Sequence, residues 1–389
     1  MSDVLYQGDI VLTEEQAEEL IGENFEREKR QATTKTNSKW SDGLYYSFRR
    51  DARNPKMKEI AKKGAKLWHD NTCIDMIEDA TAPERVEFFE GNGCYSWVGN
   101  LHKVQELSLG GQGCHYVGTA AHELAHTLGL FHVQSRYDRD NYVTLNKGNI
   151  PPKQLNTDFN LETQRTSNNY GVPYDYGSLM HYSAYAFAKD ERIPTLIPKD
   201  ENYVDTMGST MLSFYDILLM NKHYGCLDKC KSASSAKCKM GGYPNPRDCS
   251  KCICPDGYGG RLCDEKPSGC GLVLTANSRV QTLEHYFGPS GKKSDDFTKC
   301  HFWIKADRGR KVEIRLKRAL SESQSNSGCA FAGVEIKPQK DQLLTGYRFC
   351  KEEGGKDKVF VSKTDTVPVI FYRSIGMVTA TLEYRMSMF

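Results

Sequence analysis

The stretch His122-Glu-Leu-Ala-His126-Thr-Leu-Gly129-Leu-Phe-His132 constrains this chain's fold more than any other. Two histidines four residues apart face the same way when they sit on a helix. Gly129 permits the left-handed turn that stops such a helix. Three further residues bring His132 back toward the first two. Imidazoles gathered in this way can grip one metal ion. Three neutral nitrogens with an open fourth position suit a catalytic zinc site rather than a closed structural one. Glu123 adjoins a ligand and is placed to take a proton from water there. A packed helix face accounts for Val117, Ala121, Leu124, Ala125 and Leu128. It does not account for three histidines and a glutamate at these offsets in a chain with ten histidines. HExxH alone is a moderate signal, and HExxHxxGxxH is a strong one.

At 389 residues the chain is too long for one ordinary core, so two or three domains are expected. A formal net charge of +2 gives no footprint for nucleic acid. No apolar run approaches the roughly 20 residues of a membrane helix, so no membrane span is expected. "MSDVLYQGDIV" has neither a basic start nor an apolar stretch, so no signal peptide is expected. Yet there are 14 cysteines, six of them between Cys230 and Cys263. That density reads as a disulfide framework built in an oxidising compartment. A secreted protein without a signal suggests a trimmed chain with an added first methionine. A cytosolic zinc cluster would need paired Cys-x-x-Cys knuckles. Only Cys249-Ser-Lys-Cys252 fits, and Cys254 crowds it.

Residues 1–30 read as a separate leader. Thr13 with Gln16 makes a capping box before a strongly helical run. The run ends in Arg27-Glu-Lys-Arg30 and gives way to loose "QATTKTNSK". The basic end suits a helix C-terminus, or a processing protease that cuts between Arg30 and Gln31; the secretory context favours the protease. From Trp40 to Cys226 strands and helices mix, followed by long Tyr/Asn-rich segments and one late helix. The 230–263 segment is too small for a core, so disulfides must hold it. From Cys270 onward, alternating segments such as "CHFWIKA" and "VTATLEYRM" predict a β-sandwich.

Together these residues resemble the astacin family of metzincin metalloproteases. The match rests on the 122–132 motif, on Arg136-Tyr-Asp138-Arg139-Asp140 after it, and on Ser178-Leu-Met180-His-Tyr182. "CPDGYGGRLC" is similar to the end of an EGF-like module, and residues 270–389 resemble a CUB domain. This layout is found among extracellular astacins, including many nematode ones. The implied class is α+β: a two-lobed metzincin protease domain with a zinc cleft, a short propeptide before it, and a disulfide-rich EGF-like module and a β-sandwich CUB domain after it. The implied bounds are 1–30 propeptide, 31–228 catalytic domain, 229–265 EGF-like module and 266–389 CUB domain.

The resemblance implies a secreted, zinc-dependent endopeptidase in latent zymogen form. Its substrates would be extracellular proteins of matrix, cuticle or egg-envelope type. His122, His126 and His132 would hold Zn2+, and Glu123 would be the base. Met180 would form an apolar floor under the metal. Tyr182 would be a further zinc ligand in the mature form that swings off to hydrogen-bond the tetrahedral intermediate. In Tyr6-Gln-Gly8-Asp9 the aspartate would bind the zinc of the zymogen; read alone, Gly-Asp is only a turn. The strand around "CYSWVG" would be the edge to which an extended substrate adds. The implied disulfides are Cys73–Cys226, Cys94–Cys114, Cys230–Cys249, Cys238–Cys252, Cys254–Cys263, Cys270–Cys300 and Cys329–Cys350. Two departures stand out. "GNLHKVQELSLG" is bulkier than the family's Gly-rich stretch, and Val133 stands where the family places a glutamate that anchors the mature N-terminus. The alternative is a catalytically weak adhesion protein that binds partners through its EGF-like and CUB domains. Such proteins typically lose the base or a ligand, and neither is lost here.

Overall fold

The computed structural model describes residues 5–21, 32–33, 36–323 and 328–387. Arg30 and Gln31, the expected cleavage point, lie outside them. Two compact units are formed. The first comprises Met1–Tyr174, Phe187–Thr195 and Asp216–Lys229; the second comprises Asp175–Ala186, Leu196–Tyr215 and Cys230–Phe389. Among the described residues no helix is long and apolar enough to cross a membrane.

The first unit is built on a six-stranded sheet. Its strands are β1 (Ile10–Val11), β3 (Leu44–Phe48), β4 (Met76–Glu78), β5 (Arg85–Phe89), β6 (Cys94–Trp97) and β7 (Val104–Leu109), after a short β2 (Ala32–Thr33) that lies outside it. The spatial order is β1-β6-β7-β5-β3-β4. All neighbours are parallel except β6 and β7. The N-terminal segment therefore adds a strand to β6, with Ile10 opposite Ser96 and Val11 opposite Trp97. Helix α1 (Glu14–Ile21) follows. Its start is a reciprocal capping box: the Gln16 amide donates to Thr13 Oγ1, and the Thr13 amide donates to Gln16 Oε1.

Helix α2 (Pro55–Asn71) begins at Asn54, whose side chain accepts from the Lys56 and Met57 amides, with Pro55 at the first helical position. It buries Met57, Ile60, Ala61, Ala65 and Trp68, an apolar stripe at helical spacing. Helix α3 (Val117–Thr127) is buried on most sides, as expected of a central helix. The two approach closely at Gly64, where a Cβ would lie 2.8 Å from that of Ala120. Trp68 Nε1 donates to Ala121 O at 2.8 Å. Cys73–Cys226 and Cys94–Cys114 close this unit.

In the second unit, strands Val273–Thr275, Lys293–Lys305, Thr366–Ile375, Ala332–Ile336 and Tyr347–Phe349 form one sheet in that order. Strands Gln281–Phe287, Val378–Met386, Val312–Ser321 and Val359–Val361 form another. Both contribute to one core that includes Phe302, Ile304, Leu316, Val369, Phe371 and Leu382, so the C-terminal part is a β-sandwich. Cys270–Cys300 and Cys329–Cys350 tie it. The 230–263 segment holds a hairpin of Tyr243–Asn245 with Asp248–Ile253, bound by Cys230–Cys249, Cys238–Cys252 and Cys254–Cys263. It is fastened to the sandwich: Trp303 Nε1 donates to Gly257 O at 2.7 Å, and Lys299 pairs with Asp256 at 2.7 Å.

Candidate metal centre

Helix α3 carries His122, Glu123 and His126, and a Schellman turn ends it. The Leu130 amide donates to Ala125 O at 2.9 Å and the Gly129 amide to His126 O at 2.8 Å. Gly129 has φ +100°, open to glycine and strained for other residues. This turn sends the chain back so that His132 faces the helix. His122 Nε2 lies 3.1 Å from His126 Nε2 and 3.2 Å from His132 Nε2. Asp9 carboxylate oxygens lie 3.1, 3.4 and 3.3 Å from the Nε2 atoms of His122, His126 and His132.

These spacings suit four groups set about one ion, with Asp9 turning Oδ2 toward His122 and His132 and Oδ1 toward His126. An ion about 2.0–2.1 Å from each nitrogen would set tetrahedral ligands about 3.3 Å apart. His126 Nδ1 donates to Leu130 O at 2.7 Å and His132 Nδ1 to Gln7 Oε1 at 2.9 Å. With Nδ1 protonated, each Nε2 presents a lone pair inward. Burial lowers the pKa of His126 and takes that of His132 down to about 4, so both rings are neutral at physiological pH. Burial also works against charge on Asp9, but the surrounding histidines outweigh it and hold its carboxyl well below the usual range. Asp9 Oδ1 is buried without a hydrogen-bond partner. The donor set of three imidazole nitrogens and one carboxylate fits zinc.

Glu123 is 2% exposed and its Oε2 is likewise buried without a hydrogen-bond partner. Burial, reinforced by the nearby Asp9 charge, pushes its pKa well above the usual carboxylate value. Val133 is buried in the turn Val133–Ser135. Met180 is fully buried and Tyr182 half-buried; both belong to the second unit.

Glu162 carries no motif or spacing that would single it out. This buried carboxylate accepts from Tyr6 Oη at 2.8 Å and from Gln7 Nε2 at 2.9 Å through one oxygen. Thr166 Oγ1 donates to the other at 2.8 Å. Gln7, fully buried with φ +48°, thus links Glu162 to His132. A hint lay in the place of Gln7 between Tyr6 and Gly8, two residues before the aspartate already singled out. The facing Tyr6–Ile10 backbone pair closes the tight turn that carries all three leader side chains.

Residues 32–225 match the family model described as Astacin, a peptidase family. Zinc metalloproteinase nas-31 of Caenorhabditis elegans is 44% identical over 396 residues, covering 99% of this chain and 64% of that protein. Zinc metalloproteinase nas-17 of the same organism is 34% identical over 386 residues, covering 98% of this chain and 86% of that protein. The solved High choriolytic enzyme 1, a hatching enzyme zinc-protease from Oryzias latipes, is 30% identical with a TM-score of 0.44, covering 49% of this chain and 92% of that one. The chain spans 64% of nas-31 and 59% of nas-32, less than two thirds of either. With nas-17 34% identical and matched along 98% of this chain and 86% of its own length, the chain belongs to the astacin family of peptidases.

Proposed function

We propose that this chain is a secreted zinc endopeptidase in latent form, which hydrolyses peptide bonds of extracellular proteins after its leader is removed. The observation that carries this reading is the tetrahedral gathering of Asp9 with His122, His126 and His132 around one point. Zinc held there would supply a Lewis acid for the scissile carbonyl. Glu123 takes a proton from the attacking water and passes it to the leaving nitrogen. Its buried, partnerless oxygen suits that duty, because no competing donor holds it. Strand β6, which the leader covers with β1, offers its backbone to an extended substrate once the leader leaves. Tyr182 donates to the developing oxyanion and Met180 floors the site, as the family resemblance implies.

Asp9 is the latency switch in this reading. A processing protease cuts at Arg30–Gln31, which frees residues 1–30 and with them the carboxylate. The remaining chain divides into a catalytic domain (31–228), an EGF-like module (229–265) and a CUB domain (266–389). The intact ligand set and base argue against a purely adhesive role. The test is to cut the chain after Arg30 and assay casein or gelatin with and without a chelator. Chelator-sensitive cleavage that appears only after the cut is expected, and its absence would end the enzyme reading.

A further inference from the structure

Within the second unit, the segment that carries Met180 and Tyr182 is fastened to the C-terminal sandwich by buried polar contacts. Asp175, 3% exposed, accepts through Oδ2 from Thr345 Oγ1 at 3.0 Å. Its Oδ1 accepts from the Thr345 amide at 3.2 Å and from the Gly177 amide at 3.3 Å. Gly177 lies so close to Thr345 that a Cβ would come within 2.3 Å of its side chain. From there the bonds continue to the turn that carries Met180: the Ser178 amide donates to Asp175 O at 3.2 Å, and the Met180 amide to Ser178 Oγ at 3.0 Å. A second strip of contacts runs beside the first. Thr206 Oγ1 donates to Gly346 O at 3.2 Å and accepts from the Arg348 amide at 3.0 Å. Arg348, almost fully buried, donates to Ser209 Oγ at 2.8 Å and to Glu335 at 2.9 Å. Opposite, Gly328 (φ +76°) leaves no room for a side chain against Met207 O, 2.5 Å from where a Cβ would lie.

Buried charges that are paired and hydrogen-bonded are costly to separate, because each partner left alone keeps its desolvation cost. The contact therefore behaves as a fixed joint rather than as a loose meeting of modules. We propose that the sandwich loop around Thr345 is a positioning element for the proteolytic reaction. It fixes Asp175, and through Asp175 and Ser178 it holds the turn that presents Met180 and Tyr182. This rests on the endopeptidase reading for the roles of those two residues. It makes the C-terminal sandwich part of the working protease rather than only a device for binding partners.

The test compares the full chain, cut after Arg30, as wild type, Thr345→Val and Thr345→Ser. The valine keeps the shape and drops the hydroxyl that Asp175 accepts from. Hydrogen exchange of the amides of Gly177, Ser178 and Met180 is expected to quicken about tenfold in the valine variant, with the strand Thr366–Ile375 still protected. On a short fluorogenic peptide kcat is expected to fall severalfold at unchanged KM, and serine should restore both. Unchanged exchange at Gly177–Met180 in the valine variant, or no rescue by serine, would overturn the proposal. If no form cuts peptide, the exchange result still decides the joint, and only the endopeptidase reading fails. Should the valine variant not fold, exchange in the wild type under mild denaturant decides. The Thr345 and Met180 amides are expected to open together, and separate opening would overturn the joint.

Discussion

Replacing Gly129 by alanine should loosen the metal site without touching a ligand. Gly129 sits at φ +100° between His126 and His132, where a residue with a Cβ is strained by about 1–3 kcal/mol. A Cβ there would also lie 2.8 Å from Thr33 Cγ2 and 3.1 Å from His223 Nε2. Both neighbours are buried, so the clash adds on the order of 1 kcal/mol of overpacking. The total is about 2–4 kcal/mol. If the turn relaxes to relieve it, His132 moves off the tetrahedron and the loss appears in metal affinity. At about 1.4 kcal/mol per factor of ten, zinc would bind between about 30-fold and about a thousandfold more weakly. The assay is competition for zinc against a coloured chelator on the cut chain, with a thermal melt of the metal-free protein beside it. A strained but rigid turn would lower the melt and spare affinity; a yielding turn would do the reverse. Gly129→Asn, which tolerates the left-handed region better, should fall between alanine and wild type. An alanine variant unchanged in both measurements would refute the idea that this turn sets the third ligand.

Asp9→Ala should raise the peptidase activity of the uncut chain, measured beside uncut wild type, and equal rates would count against the switch. Gln7→Ala removes the link between His132 and Glu162. It should hasten release of the leader after the cut, read as the lag before full activity, and an unchanged lag would mean that Asp9 alone holds the leader. His223 is buried and its pKa lies at about 3, against about 6.5 in the unfolded chain. A base whose folded pKa is depressed gives stability that is full above about pH 6.5 and lost as pH falls. By about pH 5 the loss is about 2 kcal/mol. His223→Gln should flatten that part of the stability curve between about pH 7 and 5, and an equal slope would refute the assignment.

The parts legible in the sequence are those set by residues near one another along the chain. Helix α3 and its turn follow from the offsets of His122, His126, Gly129 and His132, because helix geometry fixes which side chains share a face. The capping box at Thr13 and Gln16 is equally local. The contacts that escaped are distant ones. Gln7 and Glu162 are 155 residues apart, and Asp175 and Thr345 are 170 apart. No period or spacing marks such pairs, since tertiary packing alone chooses them. The Tyr/Asn-rich stretches between Tyr142 and Tyr215 contain few regular elements, so their paths follow side-chain contacts such as the Tyr142–Tyr174 stack rather than any repeat. β1 has only two residues, too short for an alternating pattern. Its pairing with β6 was legible only as a family expectation about what binds that edge.

The most direct test of the account measures zinc and turnover on one preparation of Glu123→Ala, cut after Arg30. His122, His126 and His132 are untouched, so one zinc per chain should bind as tightly as in wild type. The proton acceptor is gone, so peptide turnover should fall by about two or more orders of magnitude. Retained turnover would contradict the role of Glu123, and lost zinc would contradict a metal site built by the three histidines without it.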